Sequence, residues 1–270
     1  MFANGVKLEH NEARLPRDMK QMHEHDFHEL YILSAGSRRY FIGHSIFDVA
    51  PGNLVFVPKG CLHRTTAPNG KGFERYLLSF CESAHADFIA RVGRASFDAL
   101  LQSGCVQLSP DGVHRVRMLL QQMEREQQAP TPLAHASLSL CLQEILLIAM
   151  RDGIPKPTSS SECADRIQVA ARYVSEHYEA PITLQEMADL AFMEKTYFCK
   201  RFRTLTGFGF HEYLLQTRLR AAERLLLESR YSIEQIAARC GFSCGNYFGD
   251  VFRRYRGCAP SAYRARNQGN

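Results

Sequence analysis

The last third of the chain contains one motif twice. The first copy spans 182–213 and the second spans 231–263. Matching residues are separated by 49 positions in the first part of each copy and by 50 in the second part, so the second copy has one additional residue. The like pairs are Thr183/Ser232, Leu184/Ile233, Met187/Ile236, Ala188/Ala237, Phe198/Phe248, Phe202/Phe252, Gly207/Gly257 and Tyr213/Tyr263. So many like pairs in the same order predict two copies of one supersecondary unit.

Each copy has the pattern of a helix-turn-helix unit. Thr183-x-x-Glu186 and Ser232-x-x-Gln235 have the spacing of a capping box, which predicts the start of a short helix. A second helix follows a tight turn, and its phenylalanines four residues apart predict a buried face. The units are predicted over 183–206 and 232–256, and the second helix of each would expose its outer face to a DNA major groove.

Polar and basic side chains are predicted on these outer faces. Lys and Arg can bond guanine or phosphate, Asn can pair with adenine, and Asp can accept from cytosine. The DNA-binding candidates are Lys195, Thr196, Cys199, Lys200 and Arg203 in the first unit and Asn246, Gly249, Asp250, Arg253 and Arg254 in the second. The alternative is a polar surface that only solvates the helices. The charge distribution agrees with DNA binding, because residues 1–162 have 17 basic and 17 acidic side chains whereas 163–270 have 16 and 11.

The two copies and the segment between them contain longer motifs. They are ITLQEMADLA, YFCKRF, LRAAERLL, YSIEQIAARCGF, NYFGDVFRR and a final G-x-x-P-x-x-Y-R. With these motifs, residues 163–266 resemble the DNA-binding domain of the AraC/XylS transcription regulators. The resemblance implies a domain that reads two adjacent major-groove segments, with a helix over 210–227 as the spacer. It implies these base-reading candidates: Thr196, Cys199, Lys200, Asn246, Gly249 and Asp250. The chain has Glu194 where the family usually has Ser, and Asp250 where a basic residue is common.

A short segment divides the chain. Residues 152–162 (DGIPKPTSSSE) are rich in Pro, Ser and Gly and lack an apolar period, which is typical of a linker. We therefore expect one domain over 1–151 and an all-α domain over 163–270. The N-terminus lacks the apolar run of a secretory signal, and no apolar run is long enough for a membrane helix. A cytoplasmic protein without a membrane partner is expected.

The first domain begins with strand patterns and ends with helical ones. Its short segments rich in Tyr, Phe, Val and Ile are LYILS, RRYFI, LVFVPK and FERYLLSF. From about residue 84 apolar residues recur at three- and four-residue steps, and helices are predicted over 113–127 and 133–151. These two helices fit an antiparallel hairpin, which either packs on the domain's own sheet or forms a dimer interface. The predicted fold class is α+β.

Histidine and acidic side chains are concentrated in HEHDFHE, residues 23–29. His23, His25 and Glu29 would share one face of an extended strand, and His63 follows a later strand and turn. The spacings H-x-H-x3-E-x6-G and G-x5-P-x-G-x2-H resemble both signatures of the cupin jelly roll. That resemblance implies a β-barrel whose interior can hold a ligand, or a divalent metal on His23, His25, Glu29 and His63.

Four interpretations of this segment stay open. They are a metal-dependent enzyme site, a metal that supports the fold or holds an effector, an organic effector pocket without metal, and side chains that bond only within the fold. Fusion to a DNA-binding domain favours the effector pocket, which requires no cofactor. The effector-binding candidates are His25, Glu29, Tyr31, Arg38, Tyr40 and His63.

The function expected from these observations is transcription regulation rather than catalysis. The AraC/XylS resemblance implies a homodimeric activator that binds double-stranded DNA, contacts RNA polymerase and responds to a small molecule, with a sugar as the first candidate. The alternative is a metal-dependent cupin enzyme or a metal sensor fused to a DNA-binding domain.

Overall fold

The computed structural model describes residues 5–13, 25–67, 70–128, 131–159 and 161–268. The chain divides into two compact units, an N-terminal unit over Met1–Ser160 and a C-terminal unit over Ser161–Asn270. His23, one of the metal candidates, lies outside the described residues. None of the helices in the described part of the chain is long and apolar enough to cross a bilayer.

The described strands of the N-terminal unit form two antiparallel sheets. The larger sheet has the order β1-β7-β2-β5-β8-β9, and the smaller sheet has the order β4-β3-β6. The strands are β1 (Val6–Ala13), β2 (His28–Ala35), β3 (Arg38–Ile42), β4 (Ser45–Val49), β5 (Asn53–Val57), β6 (His63–Thr66), β7 (Phe73–Phe80), β8 (Cys105–Gln107) and β9 (Ile154–Pro155). The predicted strands are confirmed as β2, β3, β5 and β7. No pairing between described strands joins the two sheets, so the described strands form two packed sheets and do not close into the β-barrel that the cupin resemblance implies.

The larger sheet is buried on both faces. Along β2, Leu30 and Ile32 belong to a core shared with the helices, whereas Tyr31 and Leu33 belong to a core shared with the smaller sheet. Successive side chains of a strand point to opposite faces, so both sets must be apolar, and this produces the nearly continuous apolar runs of these strands. Glu29 has the parity of Tyr31 and therefore faces the space between the sheets.

Four helices cover the other face of the larger sheet. After a 3-10 turn over Glu82–His85 they are α1 (Ala86–Val92), α2 (Arg94–Gln102), α3 (Pro110–Gln128) and α4 (Ala134–Asp152). The predicted hairpin is confirmed as α3 and α4. They are antiparallel, since Arg115 near the start of α3 pairs with Asp152 at the end of α4, and Gln122 further along α3 bonds to Ser137 near the start of α4. Their apolar faces join the sheet in one core, so packing on the sheet is one role of this hairpin.

Residues 152–162, interpreted above as a linker, are not a free tether over their first part. Ile154–Pro155 forms β9 at the edge of the larger sheet. The Ser159 N–H donates to the Ile46 carbonyl at 2.6 Å, and its hydroxyl donates to Asp48 at 2.8 Å. The composition indicated a linker, but main-chain bonding to a neighbouring strand requires no apolar pattern and could not be predicted from it.

The C-terminal unit is helical throughout its described residues. Its helices are α5 (Glu162–His177), α6 (Leu184–Leu190), α7 (Lys195–Thr206), α8 (Phe210–Glu228), α9 (Ile233–Arg239), α10 (Gly245–Arg256) and α11 (Pro260–Gln268). Both predicted capping boxes are confirmed. The Thr183 hydroxyl accepts from the Glu186 N–H at 3.2 Å, and the Ser232 hydroxyl accepts from the Gln235 N–H at 3.1 Å. In each box the side chain of Glu186 or Gln235 accepts a hydrogen bond from the N–H of the cap residue.

The two helix-turn-helix units have the same aromatic core. The phenylalanines predicted to be buried are all fully buried: Phe198, Phe202, Phe248 and Phe252. The turn between α6 and α7 consists of residues 191–194, and the turn between α9 and α10 consists of 240–244. The additional residue of the second copy therefore lies in its turn, as predicted. Helix α8 joins the units, and its 19 residues span about 28 Å at ~1.5 Å per residue.

Candidate functional site

The six predicted effector residues face the space between the two sheets of the N-terminal unit. We call them the inter-sheet cluster: His25, Glu29, Tyr31, Arg38, Tyr40 and His63. Strand β2 supplies two of them, β3 supplies two, β6 supplies one, and His25 lies just before β2. All except His25 are at most 3% exposed. The sandwich therefore encloses a group of polar side chains from three strands and from the segment just before β2.

Two imidazoles and a carboxylate lie at one end of the cluster. His25 Nε2 is 3.3 Å from Glu29 Oε2, and the ring centroids of His25 and His63 are 5.1 Å apart. The candidate ligand atoms of these three side chains lie within 4.8 Å of one another. The Gly60 N–H donates to the His25 carbonyl at 2.7 Å, which ties the loop of His25 to the turn that leads into β6.

Main-chain carbonyls orient both imidazoles. His25 Nδ1 is 2.7 Å from the Phe27 carbonyl oxygen, and His63 Nδ1 is 2.9 Å from the Cys61 carbonyl oxygen. A carbonyl only accepts, so each Nδ1 has a hydrogen, and the Nε2 of His25 is the ring nitrogen that contacts Glu29. Metal-binding histidines are commonly held in this way.

The His25–Glu29 contact shifts the pKa of both side chains. Burial would lower the pKa of His25, but the hydrogen bond and charge of Glu29 outweigh burial and raise it. Burial would raise the pKa of Glu29, but the His25 hydrogen bond and the nearby His63 lower it. Glu29 is therefore a carboxylate at neutral pH.

Two tyrosines occupy the middle of the cluster. The rings of Tyr31 and Tyr40 meet edge to face with centroids 4.8 Å apart. Burial raises the pKa of Tyr31 to about 12 and that of Tyr40 well above its ordinary value, so both hydroxyls are neutral. Within the described residues, Glu29 Oε1 and both tyrosine hydroxyl oxygens are buried without a hydrogen-bond partner. An unpaired buried polar atom costs about 1–3 kcal/mol, so three in one enclosure are typical of a site that a polar ligand completes.

Two arginines lie at the other end. Arg38 is 2% exposed, donates from Nε to Thr65 Oγ1 at 3.1 Å, and has its guanidinium over the Phe73 ring. Arg75 of β7 has its guanidinium carbon 5.5 Å from the centroid of the Tyr31 ring. Sequence reasoning missed Arg75, because only the pairing of β7 with β2 shows which face of the sheet it occupies.

His28 lies on the opposite face of β2, as its parity predicted. Its Nε2 is 2.8 Å from Glu82, and the Lys59 N–H donates to its Nδ1 at 3.1 Å. His28 is therefore separate from the inter-sheet cluster and ties the helix-covered face of the sheet to the 3-10 turn.

The first helix-turn-helix unit exposes most of the predicted outer face of α7. Lys195, Thr196, Lys200 and Arg203 are exposed, and Cys199 is half-buried. Glu194, which stands where Ser is usual in the family, still caps the helix, because its carboxylate accepts from the Tyr197 N–H at 3.0 Å. The main-chain N–H groups of Thr196 and Tyr197 lower the pKa of Glu194, so it caps as an anion.

The second unit presents a different set of side chains on α10. Asn246, Asp250, Arg253 and Arg254 are exposed, and Gly249 is half-buried. The Asp250 carboxylate lies 3.7 Å from the Arg253 guanidinium, which partly offsets the negative charge on this face. Cys244 is the N-cap residue of α10 and makes no side-chain capping bond.

Two exposed tyrosines that were not predicted lie on the second helices of the helix-turn-helix units. Tyr197 and Tyr247 hold the same position on α7 and α10 and are 49% and 52% exposed. The offset of 50 between them was the signal that could have found them. Two basic residues of the C-terminal unit are engaged within the fold. Arg256 pairs with Glu223, and Arg264 donates to two main-chain carbonyls.

Two family models and several known proteins match this chain. The AraC-like ligand binding domain matches residues 5–144, and a helix-turn-helix domain matches residues 187–266. The HTH-type transcriptional activator RhaR of Escherichia coli K12 is 26% identical over 260 residues, which cover 94% of this chain and 90% of RhaR. The DNA-binding domain of AdpA, solved with a target DNA, is 34% identical and covers 40% of this chain and 95% of its own, with a TM-score of 0.37. ToxT of Vibrio cholerae O395 is 11% identical over 99% of this chain and 100% of its own, with a TM-score of 0.40.

Proposed function

This chain belongs to the AraC family of DNA-binding transcription regulators, and we propose that it activates transcription in response to a polar small molecule held between its two sheets. One observation carries the proposal: Glu29 Oε1 and the hydroxyls of Tyr31 and Tyr40 are buried together without a hydrogen-bond partner among the described residues. A ligand with several hydroxyl groups would satisfy all three atoms at once. A sugar has that chemistry, and it is the first class to test.

The cost of burying these unpaired atoms explains why a ligand would bind and act. Each unpaired atom costs about 1–3 kcal/mol, and a ligand that bonds to them recovers this free energy. The same ligand binds only the folded sandwich, so it stabilises the N-terminal unit according to its concentration relative to its Kd. Strands β2 and β3 both contribute to the cluster, so a bound ligand would fix their separation. We propose that this fixed separation alters how the helices or the N-terminal segment present the DNA-binding domain.

The test compares tyrosine variants on the two faces of the larger sheet. Tyr31→Phe and Tyr40→Phe each remove one unpaired hydroxyl from the inter-sheet space, whereas Tyr76→Phe removes a hydroxyl that donates to Glu124 on the helix-covered face. We expect a ligand from a panel of sugars and sugar derivatives to raise the Tm of the wild type and of Tyr76→Phe. The same ligand should raise the Tm of the two inter-sheet variants much less. An equal response of all four proteins would place the binding site elsewhere.

The C-terminal unit supports a reader of two adjacent DNA segments. The second helices of both units expose polar and basic side chains, and α8 between them spans about 28 Å, close to the ~34 Å turn of B-DNA. An activator of this kind requires RNA polymerase as a partner. The cytoplasm is the expected compartment, because the regulator and the polymerase both bind DNA there.

We also propose that the protein is a homodimer through α4. Leu133, the N-cap residue of α4, and Leu140 are 76% and 65% exposed, and with the half-buried Leu147 they recur every seven residues from the start of this helix. A seven-residue apolar repeat is the pattern of a helix-helix seam. Light scattering should give a dimer for the wild type and a monomer for Leu140→Glu. A monomeric wild type, with and without DNA, would remove this proposal.

A second candidate function is metal binding by His25, Glu29 and His63. Two imidazole nitrogens and a carboxylate oxygen suit a divalent transition metal, and the carbonyl bonds to both Nδ1 atoms orient the two rings. The bound ion would supply a positive charge that attracts ligand oxygens. Metal content per chain after purification without chelator tests this: about one ion in the wild type and none in His25→Ala would support it. The matched relatives have the names of transcription regulators, so a metal sensor is favoured over a metal-dependent enzyme.

A further inference from the structure

Strand register gives the inter-sheet cluster two chemically different ends. Arg75 of β7 pairs with Leu33, near the end of β2, whereas Glu29 at the start of β2 pairs with Ser79. On the smaller sheet, His63 pairs with Ile42, near the end of β3. The guanidinium of Arg75 therefore lies toward one end of the sandwich, and the imidazole–carboxylate group lies toward the other.

The arginine end has the features of a carboxylate site. The Arg75 guanidinium lies over the Tyr31 ring, and Arg38 extends into the same space from β3, where it is held by Thr65 and stacked on Phe73. A guanidinium offers planar, paired N–H donors that match the two oxygens of a carboxylate. Two arginines fixed by aromatic rings are thus pre-organised for such a group.

The opposite end and the middle have the features of a site for hydroxyl groups. Tyr31 and Tyr40 each present a neutral, unpaired hydroxyl, and Glu29 presents an unpaired carboxylate oxygen. A carboxylate oxygen accepts from a ligand hydroxyl, and a tyrosine hydroxyl can both donate and accept. Tyr31 is two residues from Glu29, which is about 7 Å of strand. A short chain of hydroxylated carbons would reach from the Arg75 guanidinium over Tyr31 to Glu29.

We propose that the effector is a sugar acid, with its carboxylate bound by Arg75 and Arg38 and its hydroxyls bound by Tyr31, Tyr40 and Glu29. This inference rests on the proposed function and specifies the ligand of that same site. A neutral sugar would offer no anion to the Arg75 guanidinium. An amino acid would place an ammonium group beside the two imidazoles that lie with Glu29. Hydroxyl groups suit these imidazoles better than an ammonium group does.

The experiment measures Kd by calorimetry for matched acid and neutral pairs. The probes are D-galacturonate with D-galactose, D-glucuronate with D-glucose, and D-gluconate with D-glucitol, on the full-length wild type. Arg75→Gln is the test variant, because Arg75 is half-buried and glutamine keeps a polar side chain there without the charge. Arg39→Gln is the control, because Arg39 is the neighbour of Arg38 on β3 but pairs with Asp48 outside the cluster.

The expected result is that one of the acids binds the wild type at least about tenfold more tightly than its neutral partner. Arg75→Gln should lose about 10–100-fold in affinity for that acid, as expected for a charge-assisted hydrogen bond, and Arg39→Gln should lose less than threefold. Tight binding of a neutral sugar with no effect of Arg75→Gln would overturn this inference and leave the proposed function in place. If none of these probes binds, the sugar-acid class is excluded, and the tyrosine variants with the wider panel decide separately whether the cluster binds any ligand.

Discussion

Replacing Gly241 by alanine should strongly destabilise the second helix-turn-helix unit. Gly241 lies in the turn between α9 and α10 with φ +76°, a backbone conformation that side chains disfavour. An alanine Cβ at this position would lie 2.7 Å from the Tyr178 carbonyl oxygen and 2.8 Å from the Glu179 carbonyl oxygen. Both are main-chain atoms, so the backbone of one segment has to move. The Arg218 guanidinium, which donates to the Tyr178 carbonyl at 2.8 Å, would have to move with it.

The magnitude follows from two additive costs. A left-handed backbone costs a non-glycine residue about 1–2 kcal/mol, and forcing atoms into a packed site costs about 1–3 kcal/mol. Gly241→Ala should therefore lose about 2–5 kcal/mol of unfolding free energy. Urea denaturation of the full-length protein, followed by far-ultraviolet circular dichroism, measures this loss as an earlier transition of the C-terminal unit. Affinity for operator DNA should fall with it.

The first unit offers a matched control. Phe192 holds the position equivalent to Gly241, has φ +52°, and is 80% exposed. Phe192→Ala places the same side chain in the same kind of turn without the close approach of carbonyl oxygens, so its cost should stay below about 1 kcal/mol. Equal denaturation midpoints for Gly241→Ala and Phe192→Ala would refute the reasoning, because only Gly241→Ala adds a Cβ to a left-handed backbone and brings it close to carbonyl oxygens.

Three further outcomes are expected. Burial would raise the pKa of Glu82, but hydrogen bonds from Arg94 and His28 outweigh it and lower this pKa to about 2, so Glu82→Gln should cost about 1–2 kcal/mol at pH 7. In denaturation experiments this difference should vanish as the pH falls from 4.5 to about 2, and a pH-independent difference would contradict the assignment. Cys244→Ser should stabilise α10 by about 0.5–1 kcal/mol through a new capping bond, and an unchanged denaturation midpoint would show that no bond forms. Lys200→Ala should weaken operator binding by about 1–3 kcal/mol and relax base preference, whereas equal weakening on all DNA in gel-shift titrations would indicate a phosphate contact.

The features that the sequence predicted are those whose stabilising contacts are local or periodic. Capping boxes join residues three apart, so Thr183 and Ser232 could be identified without a structure. The buried phenylalanines follow from a four-residue spacing, and β2, β3, β5 and β7 follow from apolar runs. Two of the unpredicted strands lack such a run. Strand β6 (HRTT) is polar, and β1 alternates polar and apolar residues at a sheet edge, so their pairing depends on partners distant in the chain.

The sequence by itself determined the repeated helix-turn-helix units, the division of the chain, and the placement of His25, Glu29 and His63 in one cupin-type pattern. Only the tertiary structure decided that Arg75 joins the same cluster, because the face that a strand residue occupies depends on the register of its pairing. It also decided that residues 154–159 bond to the N-terminal sheets. Both depend on main-chain hydrogen bonds between distant segments, and those bonds form without regard to side-chain type.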